Sequence, residues 1–184
     1  MRMIALSPSN LLADGSESAV FRDVDNPNVV IAITSWAWYD MRHGEYDSWN
    51  YDPITDQCPK YQIFQKYPDL FPKVYDVHYE WVVLEKLDSE RARMELEDIA
   101  TILDRGVSYL INNYKQYTGR NVWNNETQIQ AFERLKPYAD VIDRVRKRLT
   151  RTDLKKLTRM DKMFDIHEEN WGYDSQGVLK LLDL

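Results

Sequence analysis

The sequence is short of the residues that build metal and disulfide sites, with one cysteine, Cys58, and three histidines among 184 residues. A single cysteine excludes a disulfide within the chain and a zinc site built from several cysteines. A lone thiol is typical of proteins kept in a reducing compartment, so we expect a cytoplasmic setting.

Basic residues are also few, since 24 Lys and Arg stand against 30 Asp and Glu and the formal net charge is −6. A chain of this charge lacks the basic face of nucleic-acid-binding proteins, and no specific nucleic-acid partner is expected. The longest apolar runs have the length of strands, which predicts no membrane-spanning helix. The first residues lack the apolar core of a secretion signal. The length suits one domain or two small lobes around one cleft.

The last quarter of the chain carries the residues that indicate a chemistry. Asp165 and Asn170 precede a glycine-bounded turn, 172–177, and the apolar strand 178–182 that follows it ends at Asp183. Phosphoryl transfer needs a carboxylate that orients the attacking hydroxyl, and an amide and a second carboxylate that hold Mg²⁺. One supersecondary unit provides all three groups, and it resembles the catalytic and metal-binding loops of the protein-kinase-like fold. The alternative is a solvated helix-to-loop segment followed by a terminal hairpin.

The first half of the chain predicts an antiparallel sheet interrupted by helices. Turn residues at Asp14-Gly15 and at 25–28 separate extended stretches, and the run 29–33 is strongly β-type. The segment 35–60, rich in Trp and Tyr, follows no single period and is predicted to be a part-helical insertion or lid. The expected strands are 3–8, 19–21, 29–33, 73–77 and 80–85, and a helix is expected over 59–67.

The segment before the candidate loop is predicted to be helical. Apolar residues recur with helical spacing from Ile99 to Tyr114. The expected boundaries are Gly119 at the end of the first helix, Asn124 or Asn125 at the start of the second, an interruption or kink at Pro137, and Thr152 at the start of the third. A basic cluster near the end of this segment is either a solvated face or a docking patch for an acidic partner. Its members are Arg144, Arg146, Lys147, Arg148, Arg151, Lys155, Lys156 and Arg159.

Three separated blocks of the sequence resemble the early-expressed serine/threonine protein kinases of podophage-type bacteriophages. The first block, 15–33, is similar to the glycine loop and third strand of that family. The second, 71–87, is similar to its Pro-x-Val-Tyr-Asp-Val strand and hinge, and the third combines 164–170 with Leu182-Asp183. The blocks follow one another in the family's order from residue 12 onwards, apart from the insertion at 35–60.

The resemblance implies a complete set of site residues. It places Gly15, Ser16, Glu17, Ser18 and Ala19 over the ATP phosphates, Leu84 in the gatekeeper position, and Glu85 to Leu87 in a hinge whose backbone bonds adenine. It implies that Asp165 and Asn170 are catalytic, with Asp165 orienting or deprotonating the substrate hydroxyl. It implies that Asn170 and Asp183 hold Mg²⁺, and that His167 packs and bonds within the loop. A zinc-ligand role for His167 is the alternative.

The chain departs from the family pattern in three places. The family carries a phosphate-binding lysine in the third strand, where this chain has Ala32, and a shift of register by two places supplies no other lysine. Losing one preorganised cation costs about 10²–10³ in rate, so the chain is either a pseudokinase or disabled by a substitution at Ala32. In the family, a helix carries a glutamate that pairs with this lysine. No glutamate of this chain is clearly placed for that role, and Glu45 is a weak candidate. Leu184 follows Asp183 in place of an Asp-Phe-Gly motif and activation segment, as in a truncated chain or a minimal kinase.

These observations predict an α+β protein with a small bilobal protein-kinase-like fold. An N-terminal antiparallel sheet is expected over 1–87, and a helical C-lobe ending in the catalytic-loop hairpin over 88–184. The resemblance implies ATP- and Mg²⁺-dependent phosphorylation of host proteins on Ser or Thr in the host bacterial cytoplasm, impaired by Ala32. One alternative is a catalytically inactive binder that inhibits a host protein by occupancy, through the basic face or the aromatic insertion. Another, favoured by the Asp-x-His-x-x-Asn form, is a small-molecule phosphotransferase.

Overall fold

The structure is a computed structural model, and it describes residues 6–15, 17–45, 53–120, 122–157 and 166–182. The chain divides after Lys86 into two compact units. Its described residues combine helices with antiparallel strands, so the predicted α+β class is confirmed. Within the described part of the chain, no helix has both the length and the apolar character needed to cross a membrane.

The first unit contains an antiparallel sheet of five strands in the order β1-β2-β3-β5-β4. The strands are β1 (Leu11–Asp14), β2 (Ser18–Arg22), β3 (Val29–Thr34), β4 (Val74–Val77) and β5 (Trp81–Glu85). All six residues of β3 are buried, which explains its continuous run of apolar residues before Thr34. The strands predicted over 19–21, 29–33, 73–77 and 80–85 are therefore confirmed.

The first strand among the described residues lies later in the chain than predicted, and residues 3–5 of the expected strand lie outside those residues. In the described part of the expected strand 3–8, Leu6 and Ser7 are irregular, and a short 3-10 helix follows over Pro8–Asn10. Proline has no N–H to donate to a strand ladder. The sequence therefore starts its first described strand only after this turn, with β1.

The described residues between β3 and β4 contain three helices: α1 (Ser35–His43), α2 (Ile54–Gln57) and α3 (Lys60–Lys66). Thr34 caps α1 by accepting the N–H of Ala37 at 3.3 Å. Trp38 of α1 then packs edge-to-face on Phe21 of β2, with ring centroids 4.7 Å apart. The segment predicted to be a part-helical insertion is thus helical over most of its described residues, and 46–52 lie outside them.

The described residues of the second unit form helices and one β-hairpin. Its helices are α4 (Ser89–Leu103), α5 (Val107–Asn112), α6 (Tyr114–Tyr117), α7 (Glu126–Arg134), α8 (Lys136–Arg148) and α9 (Arg151–Leu157). Asn125 caps α7 through the N–H of Gln128, as one of the two predicted alternatives requires. Pro137 lies in the first turn of α8, directly after a break between α7 and α8, so the predicted interruption is confirmed and the alternative of a kink is not.

The predicted helix over the stripe from Ile99 onwards was wrong in its continuity. Helix α4 ends at Leu103, and Asp104 adopts the left-handed conformation with φ 52°. The N–H groups of Asp104 and Arg105 bond carbonyls of the last helical turn, including that of Ala100. This arrangement is a Schellman motif, which satisfies the final carbonyls of a helix. The predicted burial of the apolar stripe is confirmed, because apolar side chains on both sides of the break are buried.

The predicted cap of the last helix was also wrong. Helix α9 begins at Arg151, so Thr152 lies inside it. Thr150 is the cap instead, accepting the N–H of Asp153 at 3.1 Å, while Asp153 accepts the N–H of Thr150 at 3.0 Å. This reciprocal pair is a capping box in which Asp takes the place of the usual Glu.

Candidate functional site

The predicted hairpin near the end of the chain is formed by β6 (Trp171–Tyr173) and β7 (Leu179–Leu181), which pair in an antiparallel register. Asp174 organises its turn. One carboxylate oxygen of Asp174 accepts the N–H groups of Gln176 and Val178, at 2.9 and 2.8 Å. Gly177 has φ 77°, a conformation that glycine adopts without strain.

An ion pair locks this turn to the second strand. The ammonium of Lys180 lies 3.3 Å from the carboxylate of Asp174, and the two side chains are only 7% and 8% exposed. Burial by itself raises the pKa of Asp174, but the backbone donors of Val178 and Gln176 and the Lys180 ammonium outweigh it, so that the pKa is lowered. Asp174 is therefore ionised at neutral pH.

Asn170, the expected catalytic and metal-binding amide, lies directly before the hairpin in a short 3-10 helix, Glu168–Asn170. Its carbonyl accepts the N–H of Leu182 at 2.7 Å. Leu182 precedes Asp183 in the sequence. The hairpin thus returns the chain to Asn170 immediately before the second residue expected to hold Mg²⁺.

The hairpin is fixed to the helices of the second unit through its first strand. Asp88, the N-cap of α4, and Tyr173 exchange two backbone hydrogen bonds, of 2.8 and 3.2 Å. The hydroxyl of Tyr173 donates to Glu95 of α4 at 2.7 Å, and Tyr138 of α8 donates to the same carboxylate oxygen at 3.0 Å. Burial raises the pKa of both tyrosines, so both stay neutral donors. Glu95 therefore ties two helices and the hairpin together.

Several expected site residues lie outside the described residues: Ser16, Asp165 and Asp183. The residue after Asp165, Ile166, is fully buried, and half-buried His167 accepts the N–H of Asn170 through its carbonyl. In the described part of the chain, no three His, Cys, Asp or Glu side chains are grouped as metal ligands would be.

The turn between β1 and β2 is held from outside by hydrogen bonds to its carbonyls. Gly15 donates its N–H to the carbonyl of Ser18 at 3.1 Å. Ser35, the first residue of α1, donates its N–H to the carbonyl of Glu17 at 3.1 Å and its hydroxyl to that of Gly15. The thiol of Cys58 also donates to the carbonyl of Glu17, at 3.6 Å. The carbonyls of Gly15 and Glu17 are thus both occupied.

A lysine from α3 contacts the same turn. The ammonium of Lys60 lies 3.1 Å from the carboxylate of Glu17, and the lysine side chain is only 12% exposed. The next residue, Tyr61, donates its hydroxyl to that of Ser18 at 3.2 Å. The start of α3 therefore contacts both Glu17, in the turn between β1 and β2, and Ser18, the first residue of β2.

Ala32, at the position where the sequence resemblance expects a lysine, lies at the centre of the sheet and is completely buried. It is paired with Val20 of β2 and with Val82 of β5. Leu84, the expected gatekeeper, is buried on β5 and opposes Val30 of β3. Because alternate residues of a strand share a face, all five side chains lie on one face of the sheet.

Part of the expected hinge backbone is already bonded within the first unit. Glu85 donates its N–H to the carbonyl of Lys73 at 2.8 Å, and Lys86 donates its N–H to the carbonyl of Asn28 at 2.9 Å. Leu87 belongs to the second unit and is buried there. Any adenine contact of Glu85 or Lys86 would therefore use a group other than these two amides.

Three residues that hold the β1–β2 turn and the terminal hairpin in place were not predicted from the sequence: Asp174, Glu95 and Lys60. The composition Asp-Ser-Gln-Gly is a signal for Asp174, because an Asp at the start of a turn bonds the following amides. Glu95 and Lys60 lie on helices whose partners are distant in the sequence, and no local pattern marks them.

Sequence comparison adds no assignment, since no protein-family model matches the chain and no curated protein is significantly similar to it. Function is therefore inferred from two sets of residues. One is the turn between β1 and β2 with its helical contacts, and the other is Asn170 with the hairpin.

Proposed function

We propose that the protein is a bacteriophage serine/threonine protein kinase with a protein-kinase-like fold, impaired by Ala32. The observation that carries the proposal is the bond from the N–H of Leu182 to the carbonyl of Asn170, at 2.7 Å. It supports a shared role for Asn170 and Asp183, the two residues that the resemblance assigns to Mg²⁺. An amide oxygen and a carboxylate are also the kind of ligand that Mg²⁺ prefers.

The order of elements in the first unit gives further support. A β1–β2 hairpin with a glycine in its turn is followed by β3, then by helices, and then by the β4–β5 pair. The sequence resemblance predicts the same order: a glycine loop, then a third strand, then a strand leading to the hinge. The central place of β3, between β2 and β5, suits a strand that carries a phosphate-binding residue.

The proposed reaction transfers the γ-phosphoryl group of ATP to a Ser or Thr hydroxyl. A bond forms between the hydroxyl oxygen and the γ-phosphorus, the bond from that phosphorus to the β–γ bridging oxygen breaks, and ADP leaves. Asp165 orients the hydroxyl and accepts its proton. Bound Mg²⁺ neutralises charge on the phosphates. Asn170 and Asp183 would hold the metal, and the hairpin turn at Asp174 keeps β6 and β7, which lie between these two residues in the sequence, in register.

The test is phosphate transfer from radiolabelled ATP to the protein itself and to a bacterial lysate. Ala32→Lys should increase labelling by about 10²-fold or more, the factor expected for regaining a preorganised cation. Asp165→Ala in the Ala32→Lys background should remove that gain, because the hydroxyl then has no carboxylate to orient it.

The control is folding, because a lysine stem placed between Val20 and Val82 overpacks the sheet by about 1–3 kcal/mol. Circular dichroism and thermal melting of each variant establish that it is folded. A folded Ala32→Lys variant that binds ATP but labels no protein would contradict the kinase assignment.

The second candidate is a non-catalytic binder, and the complete burial of Ala32 where a cation is expected favours it. Its proposed basic surface is less uniform than the sequence indicates. Arg144 and Lys147 share a surface pocket of about 660 Å³ with Asp140 and Asp143. Binding of a host protein by the native chain without any phosphate transfer, even after Ala32→Lys, would support this candidate.

A further inference from the structure

We propose that Lys60 contacts the ATP phosphates and supports nucleotide binding, without replacing the preorganised cation that β3 lacks, because its ammonium is shared with Glu17. This assignment rests on the proposed function and names one residue of its ATP site. The observation behind it is the ion pair between Lys60 and Glu17, which are 3.1 Å apart with 12% and 28% of their side chains exposed. Glu17 belongs to the turn that the family resemblance places over the phosphates.

Lys60 belongs to α3, the helix that lies over the face of the sheet carrying the Ala32 side chain. Ser18 is paired with Thr34, and Val20 is paired with Ala32, so these side chains share a face with one another. The hydroxyl of Tyr61 donates to Ser18 on that face. The start of α3 therefore lies over the face onto which a lysine at position 32 would project.

A second cation beside the turn, Arg42, belongs to a different helix, α1. Arg42 of α1 lies 3.7 Å from Asp14, the last residue of β1, and both side chains are largely solvated, with 42% and 38% exposed. Helix α1 packs through Trp38 on Phe21, whose side chain lies on the opposite face of the sheet from Ala32. Of these two cations, Lys60 combines burial, contact with the turn and a position over the face that carries Ala32.

In protein kinases, a lysine of the third strand pairs with a glutamate of a helix. The ion pair between Lys60 and Glu17 exchanges these positions. Here the helix carries the lysine and the turn carries the glutamate. An ammonium has three N–H donors, so Lys60 can bond Glu17 and a phosphate oxygen at the same time. Its long stem lets the ammonium shift between them while the methylene groups stay packed.

The experiment measures binding of Mg²⁺–ATP by isothermal titration calorimetry to the native chain, Lys60→Met, Glu17→Gln and Lys66→Met. Lys60→Met should weaken binding by about 10- to 100-fold, the range for losing one charge-assisted hydrogen bond. Glu17→Gln should strengthen it, because it removes a competing carboxylate beside the phosphates. Lys66, the exposed last residue of α3, is the matched control. Lys66→Met removes the same charge from the same helix and should leave binding unchanged.

The outcomes separate the possible failures. If the ion pair only pins the turn, Lys60→Met and Glu17→Gln will weaken binding together, and the assignment of Lys60 is overturned. Native binding that survives Lys60→Met also overturns it, but leaves the proposed function standing. Absence of Mg²⁺–ATP binding by the native chain overturns the proposed function, and the role of Lys60 with it.

A second measurement on the native chain covers the case in which Lys60→Met does not fold. Amine acetylation followed by mass spectrometry reports the accessibility of each lysine with and without Mg²⁺–ATP. Lys60 should become several-fold less reactive when nucleotide is added, while Lys66 does not change. Equal reactivity of Lys60 in both conditions, at saturating nucleotide, would overturn the assignment.

Discussion

Replacing Asp174 by Asn tests whether the hairpin turn depends on a buried charge. The carboxylate lies 3.3 Å from the Lys180 ammonium, and the side chains are only 8% and 7% exposed. Asn keeps an oxygen that can accept the N–H groups of Gln176 and Val178, so the substitution removes mainly the charge. Removing one partner of a buried ion pair costs about 3–5 kcal/mol, because the remaining charge loses the compensation of that partner. We expect Asp174→Asn to lower the free energy of unfolding by this amount at pH 7.

The effect should depend on pH with a defined sign. The folded-state pKa of Asp174 lies below its ordinary value. Its stabilisation is therefore complete above the unfolded-state pKa, about 3.9, and is lost as the pH falls through the lower folded-state pKa. The difference between the native chain and Asp174→Asn should shrink as the pH falls below about 4, because the carboxylate takes up a proton in the unfolded chain before it does so in the folded one.

Urea unfolding followed by far-ultraviolet circular dichroism, repeated between pH 7 and pH 3, measures this difference. Asp98→Asn is the matched control, because Asp98 pairs with Arg134 at 2.7 Å while both side chains are largely exposed, at 56% and 41%. An exposed pair contributes about 0–1 kcal/mol. An Asp174→Asn variant no less stable than Asp98→Asn at pH 7 would refute the reasoning.

Two further substitutions test contacts of the second unit. Gly172→Ala should destabilise it by about 1–3 kcal/mol through overpacking, since an added Cβ would lie 2.6 Å from the Cβ of Leu87; unfolding in urea measures this, and a neutral effect would show that Leu87 moves aside. Thr150→Ala should cost about 0.5–2 kcal/mol by removing the N-cap of α9. Faster amide exchange in the first turn of α9 checks the second prediction, and unchanged exchange at Asp153 would contradict it.

Local patterns were sufficient for much of the first unit. The β-type run of 29–33 predicts a strand because branched apolar side chains favour an extended backbone, and β3 occupies it. The turn residues of 25–28 likewise act locally: Asp23 and Asn26 accept the N–H groups of residues two or three places on. Turn chemistry also marks the terminal hairpin, because Gly177 takes a positive φ that few other residues tolerate.

Element boundaries were less predictable where two local signals compete. A continuous apolar stripe predicts one helix from Ile99 onwards, but the stripe only shows which side chains are buried. The sequence Asp104-Arg105-Gly106 offers a left-handed turn at that point, and the Schellman bonds decide in favour of a break. Similarly, Thr150 and Thr152 are both good caps, and only the reciprocal bonds with Asp153 select the first.

The composition, the α+β class, the candidate loop and the unusual Ala32 could all be read from the sequence by itself. The tertiary structure decided which distant residues meet: Glu95 with Tyr138 and Tyr173, the N–H of Leu182 with Asn170, and Lys60 with Glu17. Charged and polar groups of this kind have no periodicity of their own. Their partners are selected by how helices and strands pack, since a buried charge is stable only where the fold brings it a partner.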